Sequence, residues 1–327
     1  MSRAARVRAP VGVGRLLRGL GVAVAAAGAM AAAQASGLGA KVGFHSGLLT
    51  PFCQPSNTQN ARAQDRVLRF AGAVQQALEA SGEEVALISR SGLDLTRFHL
   101  RYSHAGVMLK NGSEVPWSVR QLYFDCEEGY PRLFDQGLAG FLMSAHAPDL
   151  GHISLVFLPR EAADLLLRAA QDRQRALRLL AATYSANAYP FSLRYQNCNQ
   201  WVAELLATAW GELPDGPDLR QRAQDWLKAA HYRPTAVQID SHLTKFAGGW
   251  MPFLHLDDHP VDDQFGLTLQ VSMPESLERF AYARWPQARR LEFCMDREKV
   301  LMREGWEPLD PHCQAQPGDR VLTRFDS

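Results

Sequence analysis

A helical spacing of apolar residues opens the patterned part of the chain. Residues 64–80 repeat apolar positions every three or four residues, which predicts an amphipathic helix. An apolar run at 85–89 predicts a strand, and residues 98–109 predict a longer strand whose side chains alternate between two faces. The Asn111-Gly112 pair predicts a hairpin turn, so a strand at 117–124 should return beside the second one.

The rest of the chain continues to mix helices and strands. Residues 129–141 predict a loop with a short helix, and an apolar run at 153–158 predicts a buried strand. An Ala-, Leu- and Arg-rich stretch predicts one long helix over 161–184, and Cys198 begins another helix that Gly211 ends. The remaining predicted elements are a helix at 219–230, a strand at 267–272, a helix at 275–284 and a strand at 290–295.

This mixture of elements predicts an α+β fold, with an antiparallel sheet packed on helices. The sequence divides into three segments by composition. Residues 1–35 form a targeting segment, 36–250 a main domain with an extended lead-in, and 251–327 a linker with a small α/β C-terminal subdomain.

The first 35 residues have the composition of an export signal. Five arginines and no acid precede an Ala-rich apolar run at 19–33, and Ala33-Gln34-Ala35 has the form of a signal peptidase site. The run falls short of the ~20 apolar residues that span a bilayer, and no later stretch reaches that length. We therefore expect a periplasmic or secreted protein without stable membrane insertion. An uncleaved N-terminal anchor is the alternative.

The charge balance excludes a general attraction to nucleic acid. Lys and Arg together number 35, against 34 Asp and Glu. Several arginines lie in the predicted signal, so the mature chain is mildly acidic. A nucleic-acid-binding domain would instead carry a basic surplus.

The five cysteines cannot all pair within one chain. An exported protein enters an oxidising compartment, where thiols tend to form disulfides. Cys294 and Cys313 are close in sequence and could form a local disulfide, and Cys53 could then pair with Cys126. Cys198 remains, and an odd thiol in an exported protein is either intermolecular or reactive.

Cys198 stands where a nucleophile would be expected. It begins a predicted helix that Asn197 can cap, and the amides and dipole at a helix N-terminus lower the pKa of a thiol. His104, within a predicted strand, is the candidate base, and Gln121 on the paired strand is the candidate group that orients the imidazole. Asp125 is the competing orienter. The alternative is that Cys198 is simply a buried thiol and His104 a core histidine.

These residues lie in motifs that resemble a known superfamily. Residues 103–107, Ser-His-Ala-Gly-Val, look like the His-x-Gly strand of circularly permuted papain-like proteins, the NlpC-type branch that includes lecithin retinol acyltransferase. Residues 197–202 resemble the Asn-Cys motif of that branch, in which the His precedes the Cys as His104 precedes Cys198. Gln121 falls where the acyltransferases carry a second His. This departure leaves open which residue acts as the third catalytic group beside Cys198 and His104, because Gln cannot share a proton with the imidazole.

Most of the mature chain resembles a narrower group, the exported bacterial proteins of domain-of-unknown-function family 2145. The stretches 101–106 and 195–201 look typical of it. The wider resemblance implies a permuted papain-like core and an acyl-enzyme on Cys198. It also implies an oxyanion hole made by the Cys198 amide with a donor from Tyr195 or Gln196.

A second polar cluster lies at 255–263, where two histidines and four aspartates are close in sequence. Such a density could hold a divalent cation. Its position in a Pro-rich linker favours a solvated loop instead, so we expect no metal and no cofactor.

The sequence thus predicts a thiol hydrolase or acyltransferase acting on an amide or ester, with cell-wall peptide as the first substrate class. Two alternatives stay open: a non-catalytic periplasmic binding or assembly protein that keeps the fold, and a surface enzyme that modifies lipids.

Overall fold

The fold is taken from a computed structural model, which describes residues 60–110, 116–125, 129–143, 149–251 and 253–325. The predicted signal peptide, the Asn111-Gly112 turn, Cys53 and Cys126 lie outside these residues.

The described residues form ten strands and nine helices of four residues or more. The strands are β1 (Val85–Arg90), β2 (His104–Lys110), β3 (Trp117–Asp125), β4 (Tyr130–Gly137), β5 (Gly151–Phe157), β6 (Thr235–Gln238), β7 (Thr268–Val271), β8 (Arg289–Met295), β9 (Lys299–Glu304) and β10 (Arg320–Arg324). The helices are α1 (Ala61–Ser81), α2 (Leu138–Met143), α3 (Arg160–Gln171), α4 (Arg173–Arg178), α5 (Cys198–Trp210), α6 (Leu219–Ala229), α7 (His242–Gly248), α8 (Val261–Phe265) and α9 (Pro274–Arg284).

Eight of these strands make one antiparallel sheet in the order β10-β9-β8-β5-β1-β2-β3-β4, and β6 pairs with β7 in a separate ribbon. This arrangement confirms the predicted α+β class with a large antiparallel sheet packed on helices. Among the described residues, no helix has the length and apolar character needed to cross a membrane.

The strand alternation sends side chains of β2 into two different hydrophobic clusters. Ala105 and Val107 face a cluster built with α3, α5, α6 and α9, whereas Met108 faces a second cluster built with α1 and α2. Helix α5 is buried along its whole length, from Cys198 to Trp210. A helix that is buried on every side is a central element of the core.

Strands β2 and β3 approach each other closely at Gly106. A Cβ at this position would lie 2.6 Å from Val119 Cγ1 and 3.0 Å from the carbonyl oxygen of Arg120. Only glycine avoids that overlap, which gives a physical reason for the glycine of the His-x-Gly motif.

Three predicted elements are different in the structure. The strand predicted over 98–109 begins only at His104, because a short 3₁₀ helix (Thr96–Phe98) with His99 in the left-handed region precedes it. Residues 130–137 form an edge strand and not a loop. The sequence did not indicate this strand, because seven of its eight residues are at least partly exposed and it shows no alternation of apolar and polar residues. The long helix predicted over 161–184 breaks at Asp172, whose carboxylate accepts the Arg175 amide at 3.0 Å and begins α4. An Asp that caps a new helix competes with continuation of the old one.

The C-terminal segment joins the main sheet. Strand β8 pairs with β5 from Gly151↔Met295 to Phe157↔Arg289, and β9 and β10 extend the same sheet. All the described residues fall in one compact unit, and the C-terminal segment contributes β8, β9 and β10 to its main sheet.

The same segment also holds the residues that lead into β2. Glu275 accepts the amides of Arg101 and Tyr102, each at 3.1 Å. Glu292 accepts the Arg101 guanidinium and the Tyr102 hydroxyl, each at 2.5 Å. The position of His104, which follows directly, therefore depends on contacts made by the C-terminal segment.

Candidate active site around Cys198 and His104

Cys198 is the first residue of α5, as predicted. Asn197 caps the helix: its side-chain oxygen accepts the Gln200 amide at 2.7 Å, and its nitrogen donates to Ala186 O and Ser272 O. Among the described residues, Cys198 is the free cysteine, and only 6% of its surface is exposed.

The protonation of Cys198 differs from the expectation for a helix N-terminus. Amides of Asn199, Cys198 itself and Ala105 donate to the sulfur and lower its pKa, as does the charge of Arg90. Burial outweighs them and raises the pKa of Cys198 to about 11. At neutral pH the residue is therefore a thiol and not a thiolate.

His104 is the first residue of β2, and its ring is held on one side by Gln121. His104 Nε2 donates to Gln121 Oε1 at 2.5 Å, and Gln121 Nε2 donates to Gln136 Oε1 at 3.0 Å. The ring centroid lies 5.8 Å from that of Phe141. Loss of hydration and the charge of Arg90 lower the pKa of His104 to about 3, so the imidazole is neutral.

The chain brings the thiol to the backbone next to His104. Pairing of β2 with β3 ends at Val107↔Arg120, which leaves the Ala105 amide free to donate to the Cys198 sulfur. The two side chains arrive from different faces of the sheet, since Cys198 belongs to the cluster of Ala105 and His104 contacts Phe141 of the other cluster. The sulfur of Cys198 thus contacts the backbone of the residue that follows His104, while the imidazole contacts Gln121.

Sequence reasoning missed Arg90, the last residue of β1. Arg90 is opposite His104 in the β1–β2 register, and its charge acts on both His104 and Cys198. Its guanidinium carbon lies 5.0 Å from the centroid of the Phe141 ring. The sequence does contain an indication of this role, since a charged residue directly follows the apolar run 85–89 and that run is buried.

A pair of stacked aromatic rings, Tyr184 and Phe124, lies near the thiol. Tyr184 interacts electrostatically with Cys198, and this contact and burial raise the pKa of its hydroxyl well above the ordinary value. The Tyr184 ring stacks on Phe124 at the end of β3, with 4.9 Å between centroids. The site is therefore lined by rings from the sheet and from the connector before α5.

Of the two residues predicted to complete an oxyanion hole with the Cys198 amide, Gln196 uses its donors elsewhere. Gln196 Nε2 donates to Leu179 O at 2.9 Å and to Glu204 Oε2 at 2.5 Å, and its backbone amide donates to Thr183 O. Every donor of Gln196 is thus engaged. The Tyr195 hydroxyl points to Asp257 Oδ2, at 3.4 Å.

A buried carboxylate fixes the connector that carries these residues. Glu204 on α5 is fully buried, and Arg220 donates to it through Nε at 2.9 Å and Nη2 at 3.0 Å. The glutamines that also donate to it are Gln196, Gln200 and Gln224. This network joins α6, α5 and the turn before Cys198.

The cluster at 255–263 packs partly on the connector: His259 and Asp263 are buried, whereas Asp257 and Asp262 are exposed. His259 is buried, with Nε2 2.6 Å from Asn187 O and Nδ1 3.0 Å from Asp263 Oδ2. His255 stacks on Tyr195 with 4.4 Å between ring centroids. These contacts support the segment that leads to Cys198, so the expectation of a solvated loop holds for Asp257 and Asp262 but not for His259 and Asp263.

The predicted local disulfide is present between Cys294 and Cys313. His152 Nε2 lies 3.2 Å from Cys294 Sγ. The other predicted pair, Cys53 and Cys126, lies outside the described residues.

Comparison with protein families gives one match, which covers more than half of the chain. Residues 77–281 match the family described as uncharacterized protein conserved in bacteria, DUF2145. The chain belongs to this family. The DUF2145 match includes β2, β3 and α5, and with them His104, Gln121 and Cys198. No curated protein and no solved structure matches the chain.

Proposed function

We propose that this member of the DUF2145 family is an exported thiol hydrolase or acyltransferase with a permuted papain-like core. Its substrate would be an amide or ester, with cell-wall peptide as the first class to test, and its site of action the periplasm or the outside of the cell. The observation that carries the proposal is an unpaired thiol at a capped helix N-terminus, held against the strand residue that follows an imidazole oriented by Gln121.

The neutral resting state favours general-base catalysis over a preformed ion pair. Because Nε2 of His104 donates to Gln121, Nδ1 is the basic nitrogen. Nδ1 takes the proton of Cys198 while the sulfur attacks the carbonyl carbon. The resulting imidazolium gives this proton to the leaving amine or alcohol, and a thioester on Cys198 remains.

The second half of the cycle uses the same base. His104 takes a proton from water or from another nucleophile, which attacks the thioester carbon. The C–S bond then breaks, and the sulfur regains its proton. The Cys198 amide at the N-terminus of α5 is the backbone donor suited to the oxyanion.

Acylation of Cys198 tests the proposal without knowledge of the natural substrate. The native protein is treated with a panel of p-nitrophenyl esters and with cell-wall peptide fragments. We expect release of p-nitrophenol and a hydroxylamine-sensitive mass increase on the peptide that contains Cys198. The Cys198→Ser variant should form no thioester, and His104→Gln should slow acylation by about 100-fold or more.

The matched control is His312→Gln, which changes an exposed histidine next in sequence to Cys313. It should acylate at the wild-type rate. Adducts that persist in Cys198→Ser, or acylation that His104→Gln leaves unchanged, would contradict the proposal.

A specific surface supports a second candidate, a non-catalytic binding or assembly protein. Large apolar side chains of α7, of α8 and of Trp250 just after α7 are exposed, and Phe246 and Trp250 line a surface cavity of about 550 Å³. The exposed residues are Leu243, Phe246, Trp250, Val261 and Phe265.

Acylation also separates the two candidates. Two results together would favour the binding role. The protein would form no thioester with any ester or fragment, and the cell-envelope phenotype of a strain that lacks it would be complemented by Cys198→Ser but not by Phe246→Ser. The reverse pattern would favour the enzyme.

A further inference from the structure

Arg90 is a buried charge without an anionic partner. Only 8% of its surface is exposed, and its Nε has no hydrogen-bond partner. Among the described residues, its side chain makes one hydrogen bond, from Nη1 to Ser91 O at 3.4 Å. A guanidinium carries five N–H donors, so most of its hydrogen-bonding capacity is unused.

Arg290, which is also buried, and Arg220, which is nearly so, have the ion-pair partners that Arg90 lacks. Arg220 is paired with Glu204, and Arg290 with both Glu278 and Glu292, all at 2.9–3.0 Å. No described carboxylate forms an ion pair with Arg90. An unpaired buried charge costs several kcal/mol in general, so a fold that retains one needs a compensating role for it.

The guanidinium is held in place by its surroundings. It lies over the Phe141 ring, and a Cβ on Gly92 would be only 2.6 Å from Nη1 and 2.8 Å from the Ser103 hydroxyl. Arg90 is therefore fixed beside the residue that precedes His104. Its charge acts on His104 and Cys198, neither of which carries a negative charge at neutral pH.

We propose that Arg90 is the anion-binding residue of the Cys198 site, and that it binds a carboxylate carried by the substrate close to the carbonyl group that the thiol attacks. A planar carboxylate matches the fork of a guanidinium and can accept two parallel hydrogen bonds from it. The substrate class is then an amide or ester with a free carboxylate, not a neutral ester. This inference rests on the proposed function for the attack, while the anion site itself does not.

Two alkylating reagents of the same size test the charge preference. Iodoacetate and iodoacetamide offer the same reactive carbon to Cys198 and differ in their charge. Rates are measured at one fixed alkaline pH by mass spectrometry of the peptide that contains Cys198. We expect the ratio of the iodoacetate rate to the iodoacetamide rate to fall about fivefold to tenfold in Arg90→Met, the effect of one nearby charge in a partly desolvated site.

Two control variants distinguish a local effect of the Arg90 charge from an effect of the protein's net charge or of misfolding. Arg284→Met removes an exposed arginine stacked on Trp285, which contacts Trp210 at the far end of α5, ~18 Å along the helix from Cys198. Its ratio should equal that of the wild type. Arg90→Lys, which keeps the charge, should retain part of the preference.

A measurement on the wild-type protein covers the case in which Arg90→Met does not fold. Propionate should slow alkylation by iodoacetamide in a saturable way at constant ionic strength, and propionamide should not. The inference would be overturned by any of three results. These are an equal ratio of iodoacetate to iodoacetamide rates in wild type and Arg90→Met, no protection by propionate, and a native thiol that neither reagent alkylates. A preserved charge preference without thioester formation would keep the anion site and reject the catalytic proposal instead.

Discussion

Gln121 holds His104 through a hydrogen bond of 2.5 Å between Oε1 and the imidazole Nε2. The amide of Gln121 cannot turn freely, because its nitrogen donates to Gln136 Oε1 at 3.0 Å. The oxygen is therefore directed at the imidazole, which fixes the Nε2–H tautomer and leaves Nδ1 as the base. A neutral amide in this place orients the ring without charging it.

Replacing Gln121 by Glu should raise the pKa of His104 strongly. The present pKa is about 3, and a carboxylate at the same distance would stabilise the imidazolium and raise it by about 1–3 units. Gln121→Met should lower the pKa, because the hydrogen bond from His104 to Gln121 favours the charged ring. NMR titration of the imidazole carbon signals measures both shifts.

Gln136→Glu provides the matched control, since it places the same charge one residue further along the hydrogen-bond chain. Its effect on the pKa of His104 should be smaller than that of Gln121→Glu. A pKa of His104 that does not respond to Gln121→Glu would show that the two side chains are not in contact.

The thiol of Cys198 should be unusually slow to ionise. Since burial raises its pKa to about 11, alkylation by iodoacetamide should keep accelerating above pH ~8.5, where an ordinary thiol approaches its plateau. The same thiol in urea-unfolded protein should titrate near the ordinary value. The measurement is the pH dependence of the alkylation rate of the Cys198 peptide.

The charge of Arg90 acts on both partners, and Arg90→Met should move both pKa values upward. The positive charge lowers the pKa of Cys198 and also that of His104. Its removal makes the thiol harder to ionise and the imidazole easier to protonate. A Cys198 that titrates below pH ~7 in the wild type would instead demonstrate a resting thiolate–imidazolium pair.

The helix start at Cys198 and the strand at His104 were predictable because each depends on local pattern. An Asn cap followed by apolar residues at helical spacing marks α5, and a short apolar run after the His-x-Gly motif marks β2. The pKa of Cys198 was not predictable in this way. Its direction depends on burial by distant segments, and that burial outweighs the local effect of the helix N-terminus.

Arg90 and the C-terminal strands show a second limit of local patterns. An arginine at the end of an apolar strand looks like a solvent-facing residue until Phe141 and Gly92 enclose it. Strands β9 and β10 are short, and β10 pairs with β9, which pairs with β8. The pairing of β8 with β5 joins them to a part of the sheet that is far away in sequence. Edge strands such as β4 have too few buried positions to be recognised by alternation.

Glu204→Ala should destabilise the protein severely. The carboxylate is fully buried and accepts hydrogen bonds from Arg220 and from three glutamines. Its loss leaves a largely buried guanidinium without its partner, which costs about 3–5 kcal/mol in comparable cases. Urea unfolding measures the change in the free energy of unfolding.

Asp225→Ala is the control, because Asp225 forms an exposed i,i+3 pair with Lys228 at 3.9 Å on the neighbouring helix. Its effect should stay within about 0.5 kcal/mol. Comparable losses in the two variants would show that the buried network around Glu204 has no special role in holding the connector before Cys198.

Stability should fall on acidification partly because of His152. This residue is 5% exposed, and burial together with the charge of Arg101 lowers its pKa to about 4, below the ordinary value of 6.5. The unfolded chain therefore binds more protons than the folded chain between these two values. The contribution of His152 is complete above pH 6.5 and is lost as the pH falls towards 4, with a slope of at most about 1.4 kcal/mol per pH unit.

His152→Gln should flatten this slope, as measured by urea unfolding at a series of pH values. The residual slope belongs in part to His104, whose pKa is lowered to about 3 and which therefore gains a proton on unfolding in the same window. His312→Gln, which changes an exposed histidine beside Cys313, should keep the wild-type slope. A stability that rises on acidification in this window would mean that His152 is charged in the folded protein, next to the disulfide sulfur that its Nε2 contacts at 3.2 Å.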